Sequence, residues 1–281
     1  MFSRRQFKLF LQTSLHDLDL RLQALASVTD FFGGIVRPIV IRAPFGKSML
    51  VVAPHQDDEA IGCGGALALQ RKDGGAAAVI VLQDGADEHV KVSMTREELR
   101  ELRNDESRAS ARVAGIADPV FLGLSDLTGK SQEATAAVHE VIEREMIDVV
   151  FTPFVLDGHP DHRACSGIVA NALASVGRDI RVLQYEVWGH CIPNVVVIVD
   201  DVIEKKREML RCFAIANSAN DYVNSTLGLN MFNSRLLPAG EARFVERYFE
   251  LPRKEFVELM AAVNAAALRL ERKGSELSVT N

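Results

Sequence analysis

Apolar residues are laid out along this chain in short unbroken runs separated by longer stretches of helical rhythm. Met49-Leu50-Val51-Val52-Ala53, the run from Ala76 to Leu82, and Asp148-Val149-Val150-Phe151-Thr152-Pro153-Phe154 are strand-sized, and they read as strands buried on both faces. The pattern predicts strands over 49–53, 77–83, 120–122, 148–153, 180–187 and 194–199. It predicts helices around 58–72, 95–114, 131–145, 162–175 and 201–215, with breaks at Gly74-Gly75 and Gly115. This βαβα order implies an α/β fold with a mostly parallel sheet and helices on both of its faces.

Residues 1–45 read as a separate helical extension. Phe7, Phe10, Leu11, Leu15, Leu18, Leu22 and Leu25 recur at helical spacing and predict an amphipathic helix that packs on the main domain or on a partner. Gly33, Gly34, Pro38 and Pro44 then mark irregular chain. A single α/β domain is expected over 46–273, and the polar stretch 274–281 is expected to fray.

Composition narrows the possibilities. With 281 residues, 48% of them hydrophobic, the chain can fill one sizeable core or at most two small ones. A net charge of −6 lacks the basic stripe of a nucleic-acid partner. Cys63, Cys165, Cys191 and Cys212 are scattered and form no CxxC pair, as expected of reduced thiols in the cytoplasm. No run approaches the roughly 20 apolar residues of a membrane span, and no signal peptide is evident, so a cytoplasmic protein without an integral membrane segment is expected.

The candidate chemistry lies in two clusters, His55-Gln56-Asp57-Asp58-Glu59 and His159-Pro160-Asp161-His162, each following a predicted strand. If both strands share one parallel sheet, their carboxyl ends bring the clusters into one crevice. His55, Asp58 and His162 can then supply three ligands to a catalytic metal and leave a position for water. Asp57 is free to act as general base, and His159 as oxyanion partner and acid, with Asp161 orienting its ring. Either cluster alone has a simpler explanation, since Asp57-Asp58-Glu59 suits any helix N-terminus. Two clusters at two strand ends do not. Gly62-Cys63-Gly64-Gly65 resembles a dinucleotide fingerprint only superficially, because it falls inside a predicted helix; close helix–sheet packing is the better reading.

At these residues the sequence resembles the PIG-L/LmbE family of zinc-dependent N-deacetylases. Ala53-Pro54-His55-Gln56-Asp57-Asp58-Glu59 matches the family's first motif, with Gln56 in place of the usual proline, and His159 to His162 match its second. The resemblance extends over about 46–250 and includes Asp84-Gly85 and Arg103-Asn104-Asp105-Glu106. It implies a Rossmann-like three-layer sandwich, one Zn2+ per chain, and hydrolysis of the acetamido group of an N-acetylglucosamine-type sugar or glycoconjugate. It also implies that Arg103 reaches toward the substrate, although a solvated arginine on a charged helix explains it equally. Asp84 either lines the site or shapes the Asp-Gly turn. Tyr185 and Trp188, at a strand end, suit stacking on a sugar face or a place in the core. Around 212–221 the chain departs from the family, with Phe213, Asn217 and Ser218 where members carry histidine and glutamine. Two other functions fit the composition: a phosphoesterase-like metallohydrolase, which needs further bridging carboxylates, and a non-catalytic assembly module. The His-Asp-His set also accepts other first-row metals, and a homo-oligomer is compatible with the sequence.

Overall fold

The computed structural model describes residues 38–86, 94–191 and 193–278, with side chains up to residue 265. The chain divides into two units, Met1–Pro38 and Ile39–Asn281. The expected N-terminal helix lies outside the described residues, and the second unit starts at Ile39, ahead of the expected boundary at 46.

In chain order the elements are β1 (Ile39–Val40), β2 (Ser48–Ala53), α1 (Asp58–Lys72), β3 (Ala76–Gln83), α2 (Arg96–Ala114), β4 (Val120–Leu124), α3 (Ser131–Arg144), β5 (Val149–Pro153) and α4 (Pro160–Ala174). They continue with β6 (Arg181–Tyr185), β7 (Val195–Ile198), α5 (Ile203–Arg211), α6 (Ala214–Ala219), α7 (Tyr222–Asn233), β8 (Val245–Pro252) and α8 (Arg253–Ser278). The eight strands form one sheet in the order β1-β7-β8-β6-β5-β2-β3-β4. All pairings are parallel except those of β8, which runs antiparallel between β6 and β7.

Side chains alternate across the sheet with period two. Met49, Val51 and Ala53 of β2 join Val79, Val81, Val149, Phe151 and Leu183 in a core covered by α1, α5 and α7. Leu50 and Val52 join Ile80, Leu82, Val150 and Val182 in a second core covered by α3, α4 and α8. Helices therefore cover both faces, giving the expected three-layer α/β sandwich. Strands β2 and β5 are neighbours, with Met49 opposite Val149 and Val51 opposite Phe151. The chain leaves β2 toward one face and β5 toward the other, so a crevice opens between their carboxyl ends.

Two buried glycines let α1 lie close to its neighbours. A Cβ on Gly62 would fall 2.1 Å from the Tyr185 ring, and one on Gly65 would fall 2.5 Å from Val199. The glycine-rich run thus serves close packing inside a helix. Beside it, the fully buried Lys206 donates to Glu246 Oε1 (2.6 Å) and to Ile61 O (3.0 Å).

Several elements depart from the sequence expectation. The helix expected over 201–215 breaks into a 3-10 turn (Asp200–Val202), α5 and α6, where Phe213 turns into the core. The strand expected over 180–187 ends at Tyr185. Strands β1 and β8 and helices α7 and α8 have no counterpart in that reading, and α8 continues to Ser278 where a frayed tail was expected from 274.

Candidate active site

The first cluster sits where β2 turns into α1. Asp57 occupies the N-cap position with φ 121° and ψ −30°, a conformation rare for a residue with a side chain. Such backbone costs on the order of 1–3 kcal/mol and persists only where surrounding contacts over-determine it. Those contacts are present. The Asp57 amide donates to Glu59 Oε2 (3.0 Å), and Glu59 Oε1 in turn accepts from Ser107 Oγ (2.9 Å). Arg103 Nη2 donates to Gln56 O (2.6 Å) and to Asp57 Oδ2 (3.2 Å).

The second cluster heads α4. His159 is its N-cap, with Nδ1 accepting from the Asp161 amide (3.2 Å), and Pro160 follows in the first turn, where its missing N–H costs nothing. His162 therefore points inward from that turn and is fully buried.

The two clusters meet. His55 Nδ1 lies 3.1 Å from Asp58 Oδ2, and His162 Nε2 lies 3.4 Å from the same oxygen. Donors about 2.0–2.1 Å from a tetrahedral ion stand about 3.3 Å apart, so this spacing fits a metal. Neither nitrogen of buried His162 has an aligned hydrogen-bond partner, which also fits an atom reserved for a metal. His55, Asp58 and His162 together offer three such ligand atoms, and His55, His159 and Asp161 offer an overlapping set.

Each of the two histidines facing Asp58 has a carboxylate on its other nitrogen. His55 Nε2 is 3.3 Å from Asp161 Oδ2, and His162 Nδ1 is 3.1 Å from Asp157 Oδ1. Burial opposes a charged His55, yet hydrogen bonds to Asp161 and Asp58 take its pKa up to about 9. Burial likewise opposes a charged His162, while Asp58 and Asp157 take it up to about 10. Asp58 stays well below the usual carboxylate range despite its burial, because both histidines face it. Asp57 is shifted the other way, upward, by burial and by the Asp58 charge, with Arg103 opposing. Burial and charge thus push these neighbouring carboxylates in opposite directions, the pattern of an acid–base site. His159 is held below its ordinary value by burial and by the other two histidines.

His55, Asp57, Asp58, His159 and Asp161 line a cavity of about 550 Å³, together with Asp84, Arg96, Arg103, Trp188 and Tyr222. Asp84 does both things considered for it. It lines the cavity, and it shapes its turn by accepting from the Ala86 amide (3.0 Å) while pairing with Arg96. Arg103 is not solvated, being 8% exposed, and its hydrogen bonds to Gln56 O and Asp57 Oδ2 hold the Asp57 loop from the cavity wall. Trp188 stands 59% exposed at the mouth, edge-on to Tyr222 with ring centres 6.4 Å apart. Tyr185 requires a correction. It is fully buried, its hydroxyl donates to Val52 O (2.9 Å), and it packs beneath α1 outside the cavity lining. Asp161 requires another, because its carboxylate is closer to His55 than to His159 (3.7 Å); it is the Asp161 amide that fixes the His159 ring.

Two residues escaped the sequence reading. Asp157 accepts from the amides of His159, Trp188 and Gly189 while backing His162. Its one sequence signal is a carboxylate two residues ahead of His159, which reads as ordinary turn chemistry. Tyr222 opens a helix that the apolar pattern does not announce.

Known proteins resemble this chain in sequence and in fold. Residues 50–173 match the family model described as GlcNAc-PI de-N-acetylase, PIG-L. The diacetylchitobiose deacetylase of Thermococcus kodakarensis is 28% identical over 215 residues, covering 70% of this chain and 78% of that protein. Among solved structures, the N,N'-diacetylchitobiose deacetylase of Pyrococcus horikoshii superposes with a TM-score of 0.63 at 21% identity, over 85% of this chain and 95% of that one. The 4-carboxy-2-hydroxymuconate hydratase GalB of Pseudomonas putida superposes with a TM-score of 0.61 at 21% identity, over 73% and 96%. The fold therefore hosts more than one reaction.

Proposed function

We propose that the chain, whose residues 50–173 match the PIG-L family model, removes the acetyl group from an N-acetylglucosamine-type sugar or glycoconjugate by metal-dependent hydrolysis. The observation that carries the proposal is the Asp57 carboxylate, held in strained backbone beside the His55-Asp58-His162 set and lining the same cavity. His55 Nδ1, Asp58 Oδ2 and His162 Nε2 would hold one divalent ion, with Asp161 and Asp157 fixing the two rings from behind. We propose zinc, and the same donors accept iron, cobalt or manganese. Bound there, the ion supplies Lewis acidity, lowering the pKa of water to about 7 and polarising an amide carbonyl.

The chain's own residues supply the rest. Asp57 takes a proton from the attacking water at its carboxylate. His159 has Nδ1 committed to the Asp161 amide, so its proton sits on Nε2. From there it donates a hydrogen bond to the developing oxyanion, while the proton that Asp57 took from water passes to the departing amine, leaving acetate and a free amino sugar with both residues back in their starting states. Trp188 offers its exposed ring to a sugar face at the mouth. The three-ligand set serves a single ion, and a count near one metal per chain separates this reading from a two-metal phosphoesterase. Cys63, Cys165, Cys191 and Cys212 are all free thiols, in keeping with the proposed cytoplasmic location. Among the described residues no helix is long and apolar enough to cross a membrane.

The test is acetate release from a panel of N-acetylglucosaminides by zinc-loaded protein, with Asp57→Ala as control. Release should depend on zinc, and the variant should keep its metal and lose about 10²–10⁴ in rate. Undiminished release by the variant would remove Asp57 as the base. Silence across lipid- and nucleotide-linked sugars as well would remove the deacetylase reading.

A further inference from the structure

The residue just before the proposed base is the most confined polar side chain in the loop. Gln56 is fully buried, and its Nε2 donates to Asn104 Oδ1 at 2.9 Å and to Gln83 O at 3.5 Å. Its Oε1 is buried without a hydrogen-bond partner and presses against Gly85, where an added Cβ would lie 2.2 Å away. Asn104 is itself buried and follows Arg103 directly on α2. Two successive residues of one helix therefore grip one residue of the loop. Arg103 holds the Gln56 backbone carbonyl, and Asn104 holds the Gln56 side chain.

We propose that Gln56 and Asn104 are a positioning pair that fixes the Asp57 carboxylate toward the cavity. The inference rests on Asp57 being the base. Asp57 sits at φ 121° and would relax to an ordinary conformation if its flanks were free to rotate. On the C-terminal side the loop is tied by the Glu59 carboxylate, which accepts the Asp57 amide. On the N-terminal side a side chain does the equivalent work, at a position where the resembling family has a proline and its fixed φ. An amide reaching across to α2 restrains the chain through a tertiary contact instead of through a ring. It also couples the base to the register of α2 against α1. Neither Gln56 nor Asn104 lines the cavity, so any effect they have on turnover passes through Asp57.

The near-isosteric Gln56→Met, made in the metal-loaded full chain, keeps the volume and removes the hydrogen bonds. A misplacement of about 1 Å can cost about 10²-fold in rate, so kcat should fall by roughly ten- to a hundredfold while KM and bound metal stay unchanged. Asn104→Ala should reproduce the loss. In an Asp57→Ala background, Gln56→Met should cost nothing further, because the group it positions is gone. A wild-type kcat in Gln56→Met, or an equal proportional loss in both backgrounds, overturns the proposal. Undiminished turnover in Asp57→Ala overturns the base assignment instead, which keeps the two failures apart. A crystal structure of Gln56→Met decides the matter even without a substrate: Asp57 should leave the positive-φ region, and an unmoved Asp57 sinks the pair.

Discussion

Tyr185 and Trp188 show how little a residue type says about direction. Both are aromatics at the end of one strand, and both suit a sugar face on composition alone. Tyr185 ends β6 pointing into the core and is sealed under Gly62, whereas Trp188 lies past the strand, on the rim. Replacing Trp188 with Ala should raise KM several-fold with little change in kcat, since an aromatic contact of this kind contributes about 0.5–1.5 kcal/mol. Tyr185→Phe should leave both constants alone and lower stability by about 1 kcal/mol, the usual net contribution of a hydrogen bond, as read from a denaturant melt. A KM effect in Tyr185→Phe would reinstate it as a substrate contact. At this scale His55, Asp58 and His162 could be read from spacing, because short motifs at strand ends have few ways to face. Asp157 could not, since what makes it special is a histidine side chain that only the fold brings to its back.

Among elements, α1 is the one whose sequence and role agree least. Gly62, Gly64 and Gly65 are poor helix formers, yet they sit in the middle of a buried helix interrupted at Cys63, where φ reaches −146°. The compensation is proximity: the missing Cβ atoms let the helix lie against Tyr185, Val199 and Lys206. Gly62→Ala would drive a methyl group into the Tyr185 ring and should cost about 1–3 kcal/mol, the typical penalty for overpacking. Because α1 starts at Asp58, the same variant should also weaken metal retention, which dialysis against a weak chelator would measure. Retention equal to wild type would mean that the helix start does not register the clash. The central strands were legible because Val, Leu and Ile run unbroken on both faces. Strand β8 was not, because Glu246 and Arg247 interrupt its apolar pattern. Both charges are buried and paired, Glu246 with Lys206 and Arg247 with Glu186, a cancellation that no local window contains.

For the whole molecule, the proposed ligands are appended to a core that does not need them. The hydrophobic clusters on the two sheet faces are built from apolar side chains and include none of the proposed ligands. Chelation should therefore abolish turnover while leaving the far-ultraviolet dichroism intact. An ion present at a thousand times its Kd adds about 4 kcal/mol, so removing it should lower Tm by roughly 10 °C. Unfolding on chelation at room temperature would show instead that the metal is part of the scaffold. One feature of the sheet bears on how the chain is made. Among the described strands, β8 alone joins β7, and through it β1, to the other five, yet it leaves the ribosome after all of them. The half-sheet that carries both histidine clusters can assemble while translation continues, but β1, translated ahead of the other described strands, waits for residues 245–252 before it has a sheet to join. A stalled or prematurely terminated chain would thus present a formed crevice on an open strand edge, the kind of surface that recruits chaperones or aggregates.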